Sequence, residues 1–156
     1  MTKTNVMRML DKEGIEYEVL TYDVDESDLS GASVARKTGR DKDTVFKTLV
    51  FKGDKNGYGV CCIPVCEELD LKKTAAAFGE KKVEMLHVKD LLKVTGYIRG
   101  GCSPVGMKKQ FPTVIDETAQ LFDKIFLSGG QRGLMLGVDP SALAAYIGAE
   151  FADVTA

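Results

Sequence analysis

The run Val45-Phe46-Lys47-Thr48-Leu49-Val50-Phe51-Lys52, the turn Asp54-Lys55-Asn56-Gly57 and the run Tyr58-Gly59-Val60-Cys61-Cys62-Ile63-Pro64-Val65 decide the fold class. Two stretches rich in β-branched and aromatic residues, joined by Asn-Gly, make a β-hairpin. The first strand carries Lys47, which shares a strand face with Val45, Leu49 and Phe51. Lysine is seldom buried in such company without a reason. An edge-strand lysine packs its stem and sends its head to water. The other reading is a pocket lysine that offers three ammonium donors to a carbonyl or phosphate oxygen.

Elements flank the hairpin on both sides. Residues 4–13 predict a helix with Val6, Met9 and Leu10 on one face and Gly14 at its end. Residues 15–22 alternate as a half-buried strand ending in Tyr22, and Ser30 or Ser33 caps a short helix to Thr38. Asp70 caps a helix that Gly79 ends, 83–86 is a short strand, and a helix built on Val88, Leu91 and Leu92 ends at Gly96. Strands are expected over 112–116, 124–128 and 133–138, with a last short one over 151–154. Asp139-Pro140 opens a helix with an Asp cap and Pro in the first turn. This order is neither the alternation of a doubly wound sheet nor a pure meander. It predicts one α+β domain over residues 1–156. Its centre is a curved, mixed, mostly antiparallel sheet or barrel with helices outside.

Composition narrows the function classes. At 44% hydrophobic and 28% charged, the 156-residue chain is an ordinary globular protein. A net charge of −2 excludes a strong basic footprint, although the pairs Lys72-Lys73, Lys81-Lys82 and Lys108-Lys109 leave room for a local patch. The apolar runs are too short for a membrane span, and the N-terminus lacks a signal-peptide core. A cytoplasmic protein is expected. Cys61, Cys62, Cys66, Cys102 and the single histidine, His87, match no common zinc spacing. Reduced thiols, no metal and no cofactor are expected.

A second motif, Gly100-Gly101-Cys102-Ser103-Pro104-Val105-Gly106, is a glycine-rich turn closed by proline. It has neither the Walker nor the dinucleotide-binding spacing. It is either a tight helix-to-strand connection or a backbone cradle whose N–H groups meet a developing oxyanion. A third, Ser128-Gly129-Gly130-Gln131-Arg132-Gly133, reads first as a hairpin turn. Arg132 could reach a phosphate, but nothing in the sequence demands it. His87 has no visible partner, and Cys102 lacks a base to activate it.

These three motifs, with Leu69-Asp70-Leu71-Lys72-Lys73, Lys81-Lys82-Val83-Glu84-Met85 and Thr95-Gly96-Tyr97-Ile98, occur in an order and spacing that resembles the YbaK/EbsC family of aminoacyl-tRNA deacylases. The likeness is greatest to the Cys-tRNA(Pro) branch and runs over nearly the whole chain. The resemblance implies a curved barrel shared with the editing domain of bacterial prolyl-tRNA synthetases. It places the family's lysine at Lys47 as the catalytic residue, its G-x-x-x-P loop at Gly100, Gly101, Cys102, Ser103 and Pro104, and the pocket tyrosine at Tyr22. Ser128 and Gly129 join the substrate-binding set. Met135 stands where some members carry an aspartate.

The implied activity is removal of cysteine from mischarged Cys-tRNA(Pro), with the substrate's own thiol as nucleophile. The implied partners are mischarged tRNA(Pro) and, transiently, prolyl-tRNA synthetase. Two alternatives stay open: a related deacylase for Ala- or Ser-tRNA that uses an activated water, and a binding module without turnover. Lys47 and the G-x-x-x-P loop weigh against the latter.

Overall fold

The computed structural model describes residues 2–156. The hairpin forms as its turn chemistry dictates. Strand β2 (Phe46–Gly53) pairs antiparallel with β3 (Tyr58–Pro64), with Lys47 opposite Ile63 and Thr48 opposite Cys62. The Glu80 carboxylate accepts from the N–H groups of Lys55 and Asn56 at 2.8 and 2.7 Å, which ties down the loop.

Around this hairpin lies a five-stranded mixed sheet. Strand β4 (Val83–Met85) adds antiparallel to β2, while β5 (Thr113–Asp116) runs parallel to β3 and β8 (Glu150–Ala152) parallel to β5. A separate three-stranded antiparallel sheet has the order β1 (Glu18–Thr21), β7 (Leu134–Val138), β6 (Ile125–Ser128). The two sheets meet where Val45 bridges Phe126 and the Phe126 N–H donates to the Thr44 carbonyl at 2.8 Å. The expected single curved barrel is therefore corrected among the described residues to two sheets joined at one bridge. A barrel needs a continuous ladder at every seam, and one bridge does not supply it.

Among the described residues five helices flank the sheets: α1 (Asn5–Lys12), α2 (Gly31–Thr38), α3 (Leu71–Phe78), α4 (Val88–Thr95) and α5 (Pro140–Ile147). Their starts follow side-chain caps. Thr4, Ser30, Asp70 and Asp139 each accept from an N–H of the first turn. One element was not expected, a 3-10 turn over Glu117–Leu121. Buried Asp116 starts it by accepting from Thr118 N–H at 3.2 Å and Thr118 O–H at 2.6 Å.

The largest core cluster joins the sheets. Phe46, Cys62 and Ile115 meet Leu127, Leu134 and Leu136, with Val6, Met7 and Leu10 of α1 and Leu143, Ala144 and Ile147 of α5. Val105, just past the glycine loop, belongs to the same cluster, so the loop is anchored in the core.

Candidate active site

The site grows from the loop after α4. Helix α4 ends at Gly96, and Tyr97 turns back so that its hydroxyl donates to the Val105 carbonyl at 2.5 Å. The Gly101 N–H donates to the Ile98 carbonyl at 3.0 Å, and the Ser103 hydroxyl accepts from the Val105 N–H at 3.2 Å. Residues 101–105 are all buried. Among the described residues the N–H groups of Cys102 and Ser103 have no acceptor. Buried backbone donors are nearly always paired, so two unpaired ones in a fixed loop suit a ligand oxygen.

Two glycines make the loop possible. Gly100 has φ 85, the left-handed region that glycine enters freely, and a Cβ there would meet Arg132 Cγ and Nε at 3.4 Å. Gly101 is limited by packing instead. A Cβ there would stand 3.1 Å from Gln131 Cα and 3.2 Å from Arg132 N. The third glycine-rich turn therefore lies directly against the second. Arg132 Nε completes the junction by donating to the Arg99 carbonyl at 2.8 Å.

That third turn is also fixed from the far side. Ser128 pairs with Met135 and its hydroxyl accepts from Gly130 N–H at 3.2 Å. The Gly129 N–H donates to the Leu134 carbonyl at 3.0 Å, and its carbonyl accepts from the Thr4 hydroxyl, the cap of α1, at 2.8 Å. Ser128 and Gly129 thus hold the shape of the turn.

Tyr22 comes from the other wall, where its N–H donates to the Gly133 carbonyl at 3.0 Å. Tyr22 and Gly100 line one cleft together with Val24, Leu29, Val34 and Arg132. Its free volume is about 10 Å³, enough for roughly one water. Beyond Tyr22 an open groove of about 430 Å³ continues past Thr21, Asp23 and Lys37.

Lys47 does not line the narrow cleft. It is half-buried in β2, and among the described residues it has no hydrogen-bond or ion-pair partner. Val45, on the same face about 7 Å along the strand, packs in a cluster with Ala35, Phe126 and Met135, against which Tyr22 and Val34 lie. Lys47 is thus one pleat from the wall of the cleft. Met135, where some members of the resembled family have an aspartate, is buried in that apolar cluster and supplies no acid.

The remaining loop residues turn inward. Cys102 packs with Val50, Val60 and Met107, and burial pushes its thiol up to about 12. Cys61 and Cys62 are raised to about 12 by the same cause. Pro104 is buried beside Ser103. None of these three thiols is ionised near neutral pH, and Cys66 is exposed.

Sequence reasoning missed Tyr97 and Arg132 as holders of the glycine loop. Arg132 reaches across 33 residues to do so, and no local pattern encodes such a contact. The tyrosine left a faint signal: an aromatic with a polar tip, just before a glycine turn, is suited to pin a carbonyl.

The profile of the aminoacyl-tRNA editing domain matches residues 28–146. A protein of Enterococcus faecalis described as a candidate Cys-tRNA(Pro)/Cys-tRNA(Cys) deacylase, EbsC, is 50% identical over 153 residues, covering 98% of this chain and 93% of its own. A proline–tRNA ligase of Thermosipho melanesiensis is 27% identical over 124 residues, which is 75% of this chain and 22% of the ligase. A crystal structure described as a candidate trans-editing enzyme for prolyl-tRNA synthetase superposes with a TM-score of 0.81 at 23% identity, covering 99% of both chains. With a profile match across three quarters of its length and a half-identical relative across nearly all of it, the chain belongs to the aminoacyl-tRNA editing domain family.

Proposed function

We propose that this protein hydrolyses Cys-tRNA(Pro), releasing cysteine from tRNA that prolyl-tRNA synthetase has mischarged. The observation that carries the reading is the glycine loop Gly100–Pro104, buried from Gly101 on, with two unpaired N–H donors and no activated protein nucleophile beside it. The half-identical relative described as a Cys-tRNA deacylase supports the substrate class.

In the proposed reaction the substrate thiol loses its proton to solvent and its sulfur attacks the ester carbonyl. Negative charge gathers on the carbonyl oxygen, where the N–H groups of Cys102 and Ser103 and the Lys47 ammonium receive it. The ester C–O bond then breaks, the ribose oxygen takes up a proton, and cysteine leaves as a cyclic thioester that water opens. The protein contributes position and a fixed field, the two effects that need no protein nucleophile. Tyr22 holds the aminoacyl group from the opposite wall. The segment carrying Val24 and Leu29 must move outward to admit it, since the cleft now holds about 10 Å³. Ser128 and Gly129 keep the loop's support in place. The reaction is placed in the cytoplasm, in transient company with prolyl-tRNA synthetase.

The test is a panel of tRNA(Pro) charged with cysteine, alanine or serine, and tRNA(Cys) charged with cysteine. Selective release of cysteine supports the proposal. Equal release of alanine and serine points to an activated water instead, and release of none marks a binding module.

A further inference from the structure

We infer that Arg132, with Lys37 beside it, binds a backbone phosphodiester of the tRNA acceptor end at the mouth of the cleft, an assignment that rests on the deacylase reading. Arg132 is half-buried and lines the cleft with Tyr22, Gly100 and Lys37. A guanidinium carries five N–H donors. Only the Nε donor is used, to the Arg99 carbonyl at 2.8 Å. Among the described residues Arg132 forms no ion pair, so the four terminal donors are left over.

The cleft also carries two acids, Asp25 and Asp28, each held by hydrogen bonds of its own. Asp25 accepts from Ser27 N–H at 3.0 Å and Ser27 O–H at 2.6 Å, and Asp28 accepts from Ser30 N–H at 3.1 Å while facing Arg36 at 3.8 Å. Lys37 gives one ammonium proton to the Asp23 carbonyl at 2.9 Å and, among the described residues, forms no ion pair within 4.0 Å.

The stem of Arg132 is not free to wander. It passes over Gly100, where an added Cβ would stand 3.4 Å from its Cγ and Nε, and its Nε is tied to the Arg99 carbonyl. A planar fork held by one edge presents its other edge as a ready bidentate site for phosphate. The setting matches the geometry of the substrate. An aminoacyl ester sits at the end of a polynucleotide, so its first phosphodiester lies one nucleoside away from the carbonyl. Tyr22 and Lys37 border both the narrow cleft and the 430 Å³ groove, which gives the chain its exit path. Asp23, Asp25 and Asp28 border the same cleft and groove, so the two cations act as direct contact donors to one phosphate and not through a net positive field.

The test compares two substrates, Cys-tRNA(Pro) and the phosphate-free cysteinyl ester of adenosine, on the wild type, Arg132→Gln and Lys37→Gln. A lost charge-assisted pair should lower kcat/KM on the tRNA by about 10–100-fold, mostly through KM. The loss on the phosphate-free ester should be less than about threefold for Lys37→Gln; Arg132→Gln also frees the Arg99 carbonyl, so it should lose rate on both substrates but at least about tenfold more on the tRNA. The slope of log KM against log salt should fall by about one in each variant.

Equal losses on both substrates would overturn the assignment and make Arg132 a holder of the loop alone. Unchanged kinetics on both would overturn it as well. Lys37→Gln, on an exposed helix position, keeps the test open if Arg132→Gln fails to fold. If the wild type cleaves neither ester, the deacylase reading fails. Binding of a fluorescent acceptor-stem RNA then decides the phosphate site: weaker binding by both variants supports it, and undiminished binding refutes it.

Discussion

Gly101→Ala tests how the two glycine turns depend on each other. Gly101 is not in the left-handed region, so alanine meets no backbone strain there. The obstacle is the neighbour: the added Cβ would stand 3.1 Å from Gln131 Cα and 3.2 Å from both Gln131 C and Arg132 N. These are backbone atoms of a turn held by Gly129 at both its N–H and its carbonyl, and by Arg132 at its far end. Relief requires the turns to separate by a few tenths of an ångström. Such overpacking costs about 1–3 kcal/mol, and in a domain of this size each kcal/mol lowers Tm by about 2–4 °C. The same displacement moves the Cys102 and Ser103 N–H groups. Since an error of about 1 Å costs roughly 10²-fold, a shift of a few tenths should cost up to about tenfold in kcat. Thermal unfolding and single-turnover deacylation of Cys-tRNA(Pro) read the two effects. Wild-type Tm with wild-type rate would refute the packing argument. Lost rate with unchanged Tm would mean that the methyl group enters the substrate's space and does not press on residues 131–132.

Lys47→Ala should keep the fold and lose about 10²–10³-fold in deacylation rate, the usual effect of removing one donor to an oxyanion; single-turnover kinetics would show it, and a normal rate would remove Lys47 from the mechanism. Cys102→Ala should retain substantial activity, and the rate should still rise with the substrate thiol's own ionisation near pH 8.5; loss of that limb in the variant would make Cys102 the nucleophile. The three buried thiols, raised to about 12, favour the neutral form in the fold. Their contribution is complete below the unfolded value of about 8.5 and is lost as pH rises toward 12, so denaturant midpoints should fall over that range and fall less steeply in Cys102→Ala. Asp116→Ala leaves Val154 N–H and both Thr118 donors without their buried acceptor, so stability should drop by about 1–3 kcal/mol for each buried donor left unsatisfied, with the glycine loop untouched; urea unfolding measures it.

The sequence encodes locally what local chemistry can fix. Asn56-Gly57 sets the hairpin, and Ser30, Asp70 and Asp139 set three helix starts, each through a side-chain acceptor within three residues. The strand expected over 15–22 shortens to Glu18–Thr21, because Ile15 is instead held by the carbonyl of Leu10 just after α1. Pairing across the chain was not legible. Nothing in Val60, Val114 or Glu150 announces that β3, β5 and β8 run parallel side by side, since an apolar run fits many partners. The division into two sheets has the same origin. Lys47, Tyr22 and the glycine loop were visible as unusual residue types, but the contacts that shape the loop come from Tyr97 and Arg132, whose roles depend on tertiary placement.

The thiols bear on which nucleophile the proposed deacylation uses. A protein thiol raised to about 12 has a thiolate fraction at neutral pH some 10³–10⁴-fold smaller than an ordinary thiol near 8.5. A more basic thiolate is intrinsically more reactive, but with a Brønsted slope of about 0.4–0.5 it regains only about 10¹·⁵-fold. The substrate's cysteine, if it stays in contact with water at the cleft, is therefore ahead of Cys102 by about 10²-fold before geometry is counted. Geometry adds to the margin, because Cys102 faces Val50, Val60 and Met107 and does not line the cleft. An alanyl or seryl ester brings no thiol, so in the proposed mechanism this balance predicts cysteine selectivity: the pocket need not exclude the smaller side chains if they cannot supply the reacting group.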